Sequence, residues 1–456
     1  MLKAWCIAVF VIAMTVTWPT YGADCNLKSA VQMHQQFDNF LDQKFDHYWY
    51  GTKPTPDYRA LHLDEIVRRL PPDAALLFYA TPTEPDDISP PKPLLAKAPP
   101  EFLCVWLLDR DGTVIEVKTT LDVANGIAFV ALPDDIRSSL TRDDPARGWR
   151  GLGRIEKVVL ATAEPRDPAL ALPPSVALGK ATQLLLPERI RQLILSGRYG
   201  RLVIVPSRNL GSIPYAALPI DEERQLIDLV SLVVMPSFVA LPDSTTVPHG
   251  AHIGRSLVVG DPELTKDDKL VRRGKFAALP GARDEAQRVA ILLGVRPLLG
   301  TDASQSAVLQ NVGNSDLIYI AAHGSYDDQN PNDRSFLVLS DGAFTARTIA
   351  KLKLPRRPIV VMSACQTGLG KTFESGVIGL AKAWKYAGAS TVVMTLWSVY
   401  DEPTRDLMVE FMTLLQGGQD ADLALRNAKR SVKAKARYSH PIYWAGFMIY
   451  GAPGRF

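Results

Sequence analysis

Three runs in the second half of the chain, Leu317–Ala322, Pro358–Ala364 and Thr391–Leu396, are almost wholly apolar and lack the in-out alternation of a strand with one wet face. Runs this short that ask for cover on both sides suit parallel strands packed between helices. Helical segments separate them. Ser256–Val259 followed by the helical Ala282–Leu293 extends the rhythm upstream, and Leu184–Leu195, Leu202–Val205 and Leu232–Met235 repeat it more weakly. The pattern predicts an α/β fold. At 456 residues, 47% hydrophobic, the chain is long enough for two or three compact units. No solenoid period is visible.

The first 22 residues read as an export signal: Lys3 supplies the positive end and Ala4–Val16 the apolar run, broken by Trp18-Pro19. An uncleaved anchor competes with this reading, but the run falls short of the ~20 residues a spanning helix needs. Lipidation at Cys25 is a third reading, poorly served by Asp24. No later segment is apolar enough to span a bilayer. Residues 23–69 look like a helical leader, with Phe37, Phe40, Phe45 and Trp49 among polar positions. Ala74–Thr81 reads as a strand, Thr81–Glu101 as a surface loop with seven prolines, and Phe102–Leu108 with Thr113–Lys118 as a hairpin turning at Asp111-Gly112. Loss of Cys6 with the signal leaves Cys25, Cys104 and Cys365. If the first two pair, Cys365 is the one remaining thiol.

The stretch Val360-Val-Met-Ser-Ala-Cys-Gln-Thr-Gly-Leu-Gly-Lys-Thr372 first suggests a phosphate loop. Its spacing refuses that: the glycine required five residues before Gly370 is Cys365, and a dinucleotide pattern finds Phe373 where its third glycine belongs. What remains is a thiol at the tip of a buried strand. The neighbouring run ends in His323-Gly324, 42 residues earlier, room for one crossover with a helix and a small hairpin at Phe336–Gly342. Imidazole and thiol would then leave the same sheet edge, where open α/β folds bind their ligands. An imidazole can take the thiol proton, and the thiolate attacks carbonyl carbon. The N–H groups of Gly324 and Cys365 are candidates for an oxyanion hole.

At Ala321-Ala-His-Gly324, Met362-Ser-Ala-Cys-Gln-Thr-Gly368, Gly376–Ala389, Leu396-Trp-Ser-Val-Tyr-Asp401 and His440-Pro-Ile-Tyr-Trp-Ala-Gly-Phe447, the chain resembles the CHAT family of caspase-like, clan CD cysteine peptidases related to separase. Weaker similarity reaches upstream through Ile213-Pro-Tyr-Ala-Ala-Leu218 to about residue 70. The resemblance implies a caspase-like α/β/α sandwich: a degenerate half over residues 70–245 and a catalytic half over 246–456, with His323 and Cys365 as the dyad of a cysteine endopeptidase. It implies a protein or peptide substrate and leaves room for an activating protein partner, with Tyr326–Ser335 polar enough to serve as a loop ordered on activation.

Relatives of this kind build the pocket for the residue before the scissile bond around Trp397 and Asp401. Acidic Asp401, with Glu374 opposite, would favour Arg or Lys there. Asp401 capping the helix at Glu402-Pro403 is the structural alternative. Ser375–Gly388 reads as a helix with Val377, Leu380, Ala381, Trp384 and Ala387 on one face. His440 is read as structural, ahead of a last strand at Trp444–Tyr450. No cofactor motif survives and no metal-ligand spacing is present. A net charge of +3 without a basic cluster gives no sign of nucleic acid. Two other functions stay open: a catalytically silent caspase-like interaction module, and a nucleotide-binding α/β protein weakened by the failed glycine spacings.

Overall fold

A computed structural model of the chain describes residues 25–36, 61–82, 100–112, 114–121, 123–141, 172–236, 238, 241, 253–265, 276, 278–327, 330–365, 367–373 and 376–452. Eleven strands form one sheet. The first five are β1 (Ala74–Ala80), β2 (Phe102–Asp109), β3 (Val114–Thr120), β4 (Arg201–Val205) and β5 (Ser231–Val234). Then come β6 (Ser256–Pro262), β7 (Leu298–Gly300) and β8 (Leu317–Ala321). Outside the sheet, β9 (Gly324–Ser325), β10 (Phe336–Leu339) and β11 (Gly342–Thr345) make a three-stranded meander. Strand β12 (Ile359–Ser363) is in the large sheet, the pair β13 (Gly370–Phe373) and β14 (Gly376–Gly379) form a hairpin, and β15 (Thr391–Thr395) and β16 (Phe447–Gly451) complete the set.

The order across the large sheet is β3-β2-β1-β4-β5-β16-β15-β12-β8-β6-β7. Strands β1, β4, β5 and β16 run parallel, as do β15, β12, β8, β6 and β7. The two sets meet antiparallel at β15 and β16. All residues of β8, β12 and β15 are buried, as continuous apolar runs covered on both faces require. Along β1 the faces separate by the two-residue period of a strand. Ala74, Leu76 and Phe78 pack with Ala30, Ile66 and Leu70, while Ala75, Leu77 and Tyr79 pack with Phe129, Ile136 and Ala181. Residues 27–36 and the helix Leu63–Arg69 therefore cover one face, and the helices Val123–Thr141 and Pro174–Leu185 the other.

The leader is pinned as well as packed. Cys25 and Cys104 form a disulfide with 5.8 Å between their Cα atoms, tying residue 25 to β2, and among the described residues Cys365 is a buried cysteine outside any disulfide. The expected export signal, the leader aromatics Phe37, Phe40, Phe45 and Trp49, and the body of the proline loop lie outside the described residues.

Three local expectations fail for identifiable reasons. The expected helix Leu184–Leu195 is two, Pro174–Leu185 and Glu188–Leu195, because Pro187 cannot donate into a continuing helix and biases the residue before it toward extended backbone. The expected helix Ser375–Gly388 starts only at Leu380: Gly376-Val-Ile-Gly379, with its β-branched pair between glycines, is strand β14. The last strand begins at Phe447, since His440-Pro441 opens a 3-10 turn over Pro441–Tyr443.

Candidate active site

Strands β8 and β12 pair in parallel, from Ile359 beside Leu317 to Ser363 beside Ala321. Each residue of β8 thus faces the residue 42 positions later, and His323 and Cys365 each follow two residues beyond the last pair. Neighbouring strands are about 4.8 Å apart. The approach stays close past the ladder: a side-chain carbon on Gly324 would lie 2.7 Å from the Cys365 carbonyl oxygen and 3.4 Å from the Ala364 Cβ. Glycine is required there because no Cβ fits. His323 and Cys365 accordingly follow adjacent strands at one sheet edge. The edge is covered, with Cys365 1% and His323 4% exposed.

The two strand tips are held differently. On the His323 side the Val338 N–H donates to the His323 carbonyl at 2.9 Å, and β10 pairs antiparallel with β9, Leu337 beside Gly324. The Phe276 ring sits 5.1 Å from the imidazole, centroid to centroid. On the Cys365 side the ladder between β12 and β15 ends at Val361 and Val393. Beyond it side chains bridge the strands. The Thr395 hydroxyl donates to the Ala364 carbonyl, the Thr395 N–H donates to Thr367 Oγ1 at 3.0 Å, and the Gly368 N–H donates to the Thr395 carbonyl at 2.8 Å. Both threonines are buried. A trans peptide points its C=O and N–H in opposite directions, so anchoring Ala364 C=O toward β15 aims the Cys365 N–H toward β8. Sequence reading passed over both threonines and Phe276. A hydroxyl at the tip of an otherwise apolar run was the available signal for Thr395.

The residues expected around the substrate are placed as follows. Trp397 is interior, its Nε1–H donating to the Ile442 carbonyl at 3.0 Å and its ring lying against Gly446. Asp401 opens the helix Asp401–Gln416, and its Oδ2 accepts the Gly281 N–H at 2.7 Å at the start of a different helix, Pro280–Leu293. Negative charge is favoured at a helix N-terminus, and a Cβ on Gly281 would stand 2.1 Å from that oxygen. Glu374 lies outside the described residues. His440 is exposed, and its Nδ1 accepts the Ile442 N–H at 3.3 Å, capping the turn that receives Trp397. Within Tyr326–Ser335, Asp327 pairs with Arg334 at 3.1 Å across a helical turn at Pro331–Arg334.

Charge is buried behind the edge. Arg201 donates to Asp422 at 2.6 Å and to Asp420 at 2.8 Å, and Ser231 also donates to Asp422. Burial holds the Asp422 carboxyl above its ordinary pKa in spite of the guanidinium. Lys429, whose ammonium donates to the Phe447 carbonyl, is pushed down to about 7 by burial. Among the described residues no three His, Cys, Asp or Glu side chains converge as metal ligands would, and no helix is long and apolar enough to cross a membrane.

A profile of the CHAT domain matches residues 176–452. Tetratricopeptide repeat protein 28 of Homo sapiens is 27% identical over 305 residues, and its Mus musculus counterpart 26% over 301; each match covers 56% of this chain and only 12% of the relative. Among solved structures, the Saccharomyces cerevisiae separase-securin complex is similar over 86% of this chain and 30% of that one, with TM-score 0.45 and 12% identity. The Arg-specific cysteine proteinase gingipain R is similar over 60% of this chain and 68% of that one, with TM-score 0.43 and 11% identity.

Proposed function

The chain belongs to the CHAT domain family, and from that membership we propose that it is a cysteine endopeptidase acting through Cys365 and His323. The observation that supports the proposal is the β8–β12 register, which runs in parallel to Ser363 beside Ala321, two residues before Cys365 and His323. His323 takes the thiol proton, and the Cys365 sulfur adds to the carbonyl carbon of a peptide bond. The oxyanion is stabilised by backbone N–H groups at Gly324 and Cys365. The C–N bond breaks as the imidazolium protonates the leaving amine, and water then hydrolyses the thioester. The acyl-side pocket lies toward Trp397 and Asp401. A preference for Arg or Lys rests on the Asp401 carboxylate, and equal cleavage after Arg, Leu and Asp would reject it.

A proteome-wide comparison of new protein termini made by the wild type and by Cys365→Ala tests the proposal. Cuts present only with the wild type, together with iodoacetamide labelling of Cys365 that weakens in His323→Ala, are the expected result. The burial of both dyad residues favours a second reading, a silent interaction module. No Cys365-dependent cut, with labelling only after denaturation, would establish that alternative instead. Burial also means that an active form must open, which a protein partner could drive. The Cys25–Cys104 disulfide supports export to an oxidising compartment.

A further inference from the structure

Resting on the endopeptidase reading, we infer that the site selects an apolar residue immediately after the scissile bond, received in a subsite beside His323 that the Phe276 ring now fills. The strand order gives the direction. Cys365 follows β12, His323 follows β8 one strand further on, and Phe276 lies in the connection that leaves β6, the next strand again. The acyl group becomes attached to the Cys365 sulfur, whereas the leaving amine must take its proton from the imidazole. The residue carrying that amine therefore lies on the His323 side, toward β6.

The wall on that side is apolar. Phe336, Val338 and Ala343 form a separate buried cluster joined by Phe276, which is only partly buried. The cluster is fixed to the dyad through the Val338 N–H on the His323 carbonyl. An aromatic ring from the chain itself, 5.1 Å from the imidazole and tilted 54°, stands where a substrate side chain would rest against the same groups. A charged side chain there would lose its water without gaining a partner from that cluster.

The test uses the full chain and a peptide library derived from a proteome, with new N-termini read by mass spectrometry and Cys365→Ala as the blank. Bonds followed by Phe, Leu, Ile, Met or Val should be cut about tenfold more often than those followed by Asp, Glu or Lys, the discrimination an apolar subsite commonly gives. Equal cutting before charged and apolar residues overturns the subsite and leaves the endopeptidase reading standing. No Cys365-dependent cutting removes both. In Phe276→Ala, checked for folding by its melting curve, cutting before large apolar residues should speed up several-fold, because the competing ring is gone. An unchanged or slower rate overturns Phe276 as the occupant, a point the wild-type library addresses separately.

Discussion

Replacing Thr395 by Val tests what holds the thiol in place. The two side chains are nearly the same size, so the exchange leaves no cavity and removes one donor. The Ala364 carbonyl belongs to a fully buried residue. The other hydroxyl near it, Thr367 Oγ1 at 3.5 Å, is too distant to replace the lost bond at full strength. An unmet buried carbonyl costs about 1–3 kcal/mol, so Thr395→Val should lower the unfolding free energy by about 2 kcal/mol in urea titrations. Thr395→Ser keeps the donor and should lose about 1 kcal/mol, the worth of its methyl. The same bond sets the peptide plane leading into Cys365. On the endopeptidase proposal, Thr395→Val below its melting range should cleave about 10–100-fold more slowly at little-changed KM, with the serine variant close to wild type. A valine variant as stable and as fast as the wild type would refute the idea that this hydroxyl orients Cys365.

Gly324→Ala places a carbon 2.7 Å from the Cys365 carbonyl; it should spread the β8 and β12 tips and abolish His323-dependent labelling of Cys365 while the far end of the sheet stays folded by hydrogen exchange. His34 donates to the Pro236 carbonyl at 3.1 Å, packs against Phe78 and Phe238, and is pushed down from 6.5 to about 4 by burial. The unfolded chain therefore binds a proton there between pH 6.5 and 4 that the folded chain refuses, and stability falls through that window by roughly 3 kcal/mol; His34→Gln should remove that part of the acid slope in urea titrations at stepped pH. Arg201→Leu leaves Asp422 buried without its guanidinium and should cost about 3–5 kcal/mol in the same titrations, whereas a loss under 1 kcal/mol would mean that the network contributes little.

Much of this was legible because the central strands carry their own signal. Runs such as Leu317–Ala322 offer no polar face, so only a doubly covered sheet accepts them, and His323 and Cys365 stand out as polar groups at their tips. Local ambiguity hid the rest. Val377-Ile378 between glycines serves a helix face or a strand equally well, and contact with the segment Arg208–Ser212 from the other half of the chain accompanies the strand. The place of β16 between β5 and β15 was beyond any local reading, since it joins residues 234, 392 and 450. Phe276 has no periodic partner at all, and nothing local in the sequence predicts its contact with His323.

That placement of β16 explains why the family match and the core both extend upstream of residue 246. Thr395, which anchors the peptide ahead of Cys365, pairs with Phe447 of β16, and the Leu396 N–H donates to the Gly446 carbonyl just before it. Phe447 in turn offers its carbonyl to Lys429, on the helix Ala421–Lys433 whose Asp422 is held by Arg201 of β4 and Ser231 of β5. Strand β16 also pairs directly with β5 at Val234. The tip of β12 that leads into Cys365 is thus braced from one side by β8, which leads into His323, and from the other by β15, itself held by β16, whose own support lies in residues 201–234. Residues 246–456 alone would keep both His323 and Cys365, yet they would expose one edge of β16 and leave Asp422 without Arg201. Unpaired strand edges and unpaired buried charge are both costly, so residues 201–234 act as part of the scaffold that holds the strand tips leading into His323 and Cys365, although they contribute neither residue.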